Sequence, residues 1–213
     1  DTVLNLLAEE RGYDLPEEII VFVAHKDSQS WIESPGALDN AVGTAAVLEI
    51  ARILARRGSR RTVRFLFCNE EHTPWTSAVA AADMRRHGDD LTGVLNLDAL
   101  SGKPDEEVRA GLKTNVTAYT LPEGKRLADL MERVNDRHAI GLVQRAHQRE
   151  FANDDDGSFV KAGYAMAVAN IGSFPYGDAE YHMPGDVPDR VDYENVLMAT
   201  QASLAAALTL DEA

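Results

Sequence analysis

The chain has 213 residues, 35 acidic and 21 basic, for a formal net charge of −14 at pH 7. That balance argues against nucleic acid, whose phosphates need a basic face, and against an anionic membrane surface. A hydrophobic fraction of 45 % beside 26 % charged residues excludes a disordered chain, and folding at this length buries about 70 % of the extended-chain surface, enough for one domain with a sizeable core.

In chain order, a weak edge strand is expected at residues 3–7. Continuous apolar runs of strand length follow at 19–24 (IIVFVA), 63–68, 94–97 and 165–171. Runs without period-two alternation suit strands covered on both faces. Helical spacing at Val42, Ala45, Ala46, Leu48, Ile50, Ile53 and Leu54 predicts a helix over 40–57. Arg52, Arg56 and Arg57 suit the negative end of its dipole and Gly58 is its stop. Further helices are expected at 75–86, at 122–138 with Pro122 in the first turn, and at 191–210. This alternation predicts one domain, an α/β three-layer sandwich around a mixed, largely parallel sheet. No internal repeat or low-complexity tract is present, and no stretch approaches the ~20 apolar residues of a membrane span. Cys68 is the one cysteine, so no intrachain disulfide can form; within an apolar run it reads as a small core residue, not a nucleophile.

In such sheets function gathers at the carboxyl ends of the strands. His25-Lys26-Asp27 follows the first apolar run, Asn69-Glu70-Glu71-His72 the second and Asp98 the third. Asp39 precedes the first long helix, and His182 lies in the loop before the last. Singly, each has an ordinary explanation. Asp39 reads as a helix N-cap, His25 as a hydrogen-bonded strand end, the Glu pair as a solvated face and Asp98 as a turn cap. His72, His87, His138 and His147 keep that ordinary reading, His87 and His138 lying near helix C-termini where a cation is favoured. Jointly, several acids and a histidine at one end of a sheet repel or stay unpaired unless cations neutralise them. Mixed histidine and carboxylate ligands suit zinc or a similar divalent ion. Five ligands are too many for one open catalytic zinc but suit two sharing a bridging carboxylate, as in hydrolytic sites with metals roughly 3.5–4 Å apart. Such a site also needs a carboxylate that is not a ligand to take a proton, and the Glu pair supplies one of each.

The order HKD, GALDN before a helix, NEE, NLDA and YHMPGD resembles the bacterial leucyl aminopeptidase family of co-catalytic di-zinc peptidases. That family includes aminopeptidase S, aminopeptidase Y and the glutaminyl cyclases. The resemblance runs from about residue 19 to the end, with DNAVGTAAVLEIARIL like the family's Asp-Asn helix and DVPDRVDYENV like its last-helix entry. It implies a zinc-peptidase-like fold in which Asp39 bridges two Zn2+ ions (Mn2+ or Co2+ as substitutes). His25 and Asp98 complete one site, and Glu71 and His182 the other. Glu70 is then the general base and later proton donor, and Asp27 orients the His25 ring. Tyr181 either donates to the tetrahedral oxyanion or packs as an aromatic. The implied substrates are peptides with a free N-terminus, whose ammonium suits an acidic cleft, and the family bias is towards extracytoplasmic enzymes.

Three segments depart from the family pattern. Where the family has a Gly-rich turn ending in Gly-Ser, this chain has His72-Thr73-Pro74-Trp75-Thr76-Ser77, in which Trp75 reads as pocket wall or core. The place of a Ser-Asp-His-type motif holds Asp154-Asp155-Asp156, Asp155 aligning with the family's Asp. That run reads as a solvated turn more readily than as a calcium or amine site. A helical segment usual before the first strand is not found ahead of Val3, so a single catalytic domain over 1–213 without it is expected. Three alternatives stay open: glutaminyl cyclisation, for which Trp31 and Trp75 are the only tryptophans available to an aromatic pocket; a di-zinc carboxypeptidase or deacylase; and a non-catalytic domain derived from a peptidase.

Overall fold

A computed structural model describes residues 4–28, 30, 32–69 and 75–213. In chain order the elements are β1 (Leu6–Glu10), β2 (Leu15–His25), α1 (Val42–Arg57), β3 (Arg61–Cys68), α2 (Thr76–His87), β4 (Asp90–Leu97), α3 (Asp105–Arg109), β5 (Thr114–Tyr119), α4 (Pro122–Arg137), β6 (Val143–Gln148), α5 (Asp154–Lys161), β7 (Ala167–Ile171) and α6 (Tyr193–Glu212). The strands form one sheet in the order β1-β3-β2-β4-β7-β5-β6. β3, β2, β4 and β7 are mutually parallel; β1 is antiparallel to β3, and the parallel pair β5–β6 joins antiparallel to β7. This is the expected three-layer α/β sandwich with a mixed sheet.

The unbroken apolar run of β2 has a direct cause. Ile20, Phe22 and Ala24 pack under α1, α4 and α6, while Ile19, Val21 and Val23 pack under α2 and α5. With helices on both faces, neither parity of the strand can be polar. Cys68 is buried at the end of β3 in the second layer, and burial pushes its thiol pKa well above the usual value. It behaves as the core residue the sequence suggests. Among the described residues no helix is long and apolar enough to cross a membrane.

Three local expectations change. The edge strand is β1 at Leu6–Glu10, later than residues 3–7. β5 and β6 were not anticipated. β5 (TNVTAY) is buried throughout, but the Asn115 amide nitrogen donates to Gln144 and Asn170, and the Thr117 hydroxyl bonds to the same two side chains. A strand whose burial depends on a cross-strand polar network has no apolar signature. β6 (VQRAHQ) is a sheet edge, largely exposed and mostly polar. The Asp154-Asp155-Asp156 run is not a solvated turn: it is the buried first turn of α5. The Arg149 guanidinium pairs with Asp154 at 2.8 Å and with Asp156, and the Tyr176 hydroxyl donates to Asp154 Oδ2 at 3.0 Å.

Candidate metal centre

The chain leaving β2 turns through α1 towards β3, whereas the chain leaving β4 turns the other way, towards β7 and β5. Adjacent parallel strands whose exits diverge leave a crevice at their carboxyl ends. His25 is the last residue of β2 and Asp98 follows the last residue of β4, so both stand at that crevice.

Asp39 reaches the same point from the turn Ala37–Ala41 that leads into α1. Its neighbour Asn40, fully buried, welds this turn to β4. The Asn40 Nδ2 donates to the Leu97 carbonyl at 2.8 Å, and its Oδ1 accepts from Gly43 N at 2.9 Å and Ala99 N at 3.3 Å. The Thr44 hydroxyl donates to the His25 carbonyl at 2.9 Å, tying α1 to β2 as well. A Cβ on Gly43 would lie 2.1 Å from the Leu97 carbonyl oxygen, so only glycine lets the helix start approach β4 so closely. Asp39 is therefore not the helix N-cap that its place in the sequence also allowed: α1 begins at Val42 with Ala41 as its N-cap.

His25, Asp39 and Asp98 are all buried, and their ligand atoms lie within 4.8 Å of one another. The His25 Nε2 is 3.0 Å from Asp39 Oδ1 and 3.3 Å from Asp98 Oδ1. On the other side of the ring, Nδ1 lies 3.2 Å from the Asp27 carbonyl oxygen and 3.4 Å from its carboxylate. Two acceptors at Nδ1 place the ring proton there, as metal-bound histidines usually have it. Nε2 then presents a lone pair to two carboxylates. Those groups attract one another only with a cation among them, a proton in the metal-free chain or a metal ion. One imidazole nitrogen and two carboxylate oxygens are a donor set that fits zinc.

The second oxygen of Asp39 is engaged separately. The His182 Nε2, from the loop between β7 and α6, is 2.9 Å from Asp39 Oδ2. The His182 ring stacks under Tyr181 at 3.9 Å between centroids, and Tyr181 stacks on Tyr176 at 5.0 Å. Packing accounts for where the Tyr181 ring lies. Tyr176, Tyr181, Leu38, Asp39, Ala99 and Asp186 border a narrow cleft beside the carboxylates.

Charge at this cluster follows from burial opposed by partners. Burial opposes a charge on His25, but Asp98, with Asp27 and Asp39, holds its pKa well above the ordinary histidine value. Burial also works against ionised Asp39, yet the two histidines hold it well below the usual carboxylate range. Asp98 is pushed up by burial, and Asp39 adds to the shift. Asp155 is wholly buried, and burial pushes its pKa up to about 7, with His25 and a hydrogen bond from Ser77 opposing the shift.

The structure thus brings together His25, Asp27, Asp39, Asp98, Tyr181 and His182. Glu70, Glu71 and His72 lie outside the described residues, as does Trp31. The two residues flanking 70–74 in the described chain are placed: Cys68, opposite His25 in register, leads to Asn69, whose N–H donates to the Thr76 hydroxyl at 2.8 Å. Trp75 is half-buried with the Lys161 ammonium 5.8 Å above its ring, a contact between the start of α2 and the end of α5. His87 closes α2 and His138 follows α4, while the His147 ring packs on Phe174 at 4.1 Å. Sequence reasoning gave no weight to Asn40 or Asp186. Asn40 stood beside a candidate ligand in the Asp-Asn string, and Asp186 closes YHMPGD, so their only signal was adjacency.

A probable zinc metalloprotease of Pyricularia oryzae is 26 % identical over 255 residues, covering 99 % of this chain and 50 % of that protein. Leucine aminopeptidase 1 of Sclerotinia sclerotiorum is 25 % identical, covering 87 % of this chain and 50 % of its own length. The crystal structure of the LapA aminopeptidase of Legionella pneumophila superposes with a TM-score of 0.82 at 20 % identity, over 98 % of this chain and 54 % of that one. The chain spans about half the length of these proteins. Residues 5–207, from β1 into α6 and including every strand and the whole crevice, match Peptidase family M28; the chain belongs to that family.

Proposed function

We propose that this chain hydrolyses the first peptide bond of substrates with a free N-terminus, using two zinc ions held at the β2–β4 crevice. One observation carries this reading: the two oxygens of Asp39 are turned to two different histidines, 3.0 Å to His25 at the end of β2 and 2.9 Å to His182 in the loop before α6. A carboxylate divided in this way is suited to bridging two cations. In the proposed site His25 and Asp98 hold one zinc, His182 and Glu71 hold the other, and Asp39 is shared. When bound, the pair supplies Lewis acidity, which polarises the scissile carbonyl and lowers the pKa of water. Glu70 takes a proton from the attacking water and returns it to the departing amine nitrogen. Asp27 keeps the His25 proton on Nδ1, leaving Nε2 free to ligate. The Tyr181 hydroxyl donates to the oxyanion. The substrate ammonium is held by the acidic surroundings. The names of the zinc metalloprotease and leucine aminopeptidase relatives support zinc and N-terminal cleavage, and Mn2+ or Co2+ can replace zinc where supply dictates.

The test is hydrolysis of Leu-Gly-Gly beside its N-acetylated form by zinc-loaded protein. Cleavage of the free-amine peptide alone, abolished by a chelator, is expected. Glu70→Gln should keep its zinc and lose on the order of 10²–10⁴-fold in kcat, the usual weight of a general base. Cleavage of both peptides would sink the aminopeptidase reading. Cyclisation of an N-terminal glutamine peptide without hydrolysis of either would replace it with acyl transfer.

A further inference from the structure

Asp186 lies four residues beyond His182, is 1 % exposed, and faces the turn that carries Asp39. Its backbone carbonyl accepts from Ala37 N at 3.3 Å, its Oδ1 from Leu38 N at 2.6 Å and its Oδ2 from Asp39 N at 3.1 Å. Three consecutive N–H groups of one loop therefore end on a single residue of the other. Successive N–H groups converging on an anion form a nest, a fixed concavity for one carboxylate.

The loop bearing His182 is braced from within. Met183 N donates to the Glu180 carbonyl at 2.9 Å, Gly185 N to Glu180 Oε2 at 3.1 Å and Asp186 N to the Met183 carbonyl at 3.1 Å. The Arg190 guanidinium holds Asp178 at 2.8 Å, and Asp178 in turn accepts from Glu180 N. His182 has φ +57°, a left-handed conformation that a non-glycine residue keeps only where its surroundings over-determine it. A segment so braced moves as one piece. Wherever Asp186 is pinned, His182 is carried to a set position, here 2.9 Å from the far oxygen of Asp39.

We infer that Asp186 is a positioning residue that registers the His182 loop against Asp39 and thereby builds the second metal position. The inference rests on the two-zinc reading above. It differs from a general folding role, for which the molecule has its own control. Asp211 is equally buried, and its Oδ1 accepts from Arg61 N at 2.7 Å, at the far end of the sheet from the crevice.

The experiment is a zinc titration of the metal-free full chain by calorimetry and chelator competition, comparing wild type with Asp186→Ala, Asp186→Asn and Asp211→Asn. Wild type should take two zinc ions. Asp186→Ala should take the first within threefold of wild-type affinity and bind the second at least tenfold more weakly. Asp186→Asn keeps the side chain's size and one acceptor and should fall between; it carries the test if the alanine variant does not fold. Asp211→Asn should lose melting temperature and keep both ions. Two tight ions in both Asp186 variants, equal weakening of both ions, or loss of the second ion in Asp211→Asn would each overturn the inference while leaving two zincs in wild type. A wild-type chain that takes one ion would sink the two-zinc reading and the inference with it.

Discussion

Two carboxylates next to the centre differ in what their sequence context discloses. Asp27 follows a strand-end histidine at a spacing that puts it within reach of the ring, and the structure has it at Nδ1. Removing such a partner usually weakens metal binding by about 10–100-fold. Asp27→Ala should fall near the lower end, because the backbone carbonyl at that position also faces Nδ1 at 3.2 Å; competition with a chromophoric chelator measures it. Asp155 could not be read the same way. Three consecutive aspartates look solvated until Arg149, five residues before the first of them, is seen to pair with Asp154 and Asp156 while Asp155 is buried beside them. Its folded pKa of about 7 lies above the ordinary carboxylate value. The folded chain therefore holds a proton that the unfolded chain releases from about pH 4 upward. Stability from this group is complete below that value and is lost as pH rises to about 7, at about 1.4 kcal/mol per pH unit. Metal-free Asp155→Asn should thus melt higher than wild type at pH 8 and no higher at pH 4. An equal shift at both pH values would show that the carboxyl does not titrate in this window.

For the elements, legibility followed how each one buries its surface. β2, β3 and β4 sit between two helical layers, so their apolar runs are continuous and were evident. β5 was not, because Asn115 and Thr117 are buried by bonding to Asn170 and Gln144, a pairing that exists only after β7 and β6 are in place. The start of α1 was placed within two residues, but its contact with β4 was invisible. Gly43 looked like an ordinary small helix residue, yet a Cβ there would press on the Leu97 carbonyl. Gly43→Ala should cost about 1–3 kcal/mol, as overpacking usually does. It should also weaken zinc binding, since Asn40 joins the same carbonyl to the Asp39 turn. Urea unfolding with an unchanged midpoint would show that the helix start can yield.

Across the whole molecule, five buried aspartates gather at the crevice end of the sheet. Asp39, Asp98, Asp154, Asp155 and Asp156 are all buried, with Arg149 and His25 paired among them. A divalent ion that binds only the folded chain relieves this repulsion and adds the linkage free energy of its own binding. At one hundred times its Kd, one zinc contributes about 2.7 kcal/mol, which at this chain length is about 5–10 °C in Tm. Scanning calorimetry with zinc and then with excess chelator should show that difference; coincident transitions would mean that the folded crevice has no preference for the ion. Hydrophobic periodicity and strand-end chemistry, both local properties, were enough to determine the layered α/β fold and the carboxyl ends as the place to look, and to single out His25, Asp39, Glu71, Asp98 and His182 as candidates, of which Glu71 lies outside the described residues. Only tertiary structure decided which oxygen of Asp39 meets which histidine, that Asp186 clasps the turn leading into α1, and that an aspartate run is core. Each of those depends on residues up to 148 positions apart being brought within hydrogen-bonding distance, and no local pattern records a distance across the sheet.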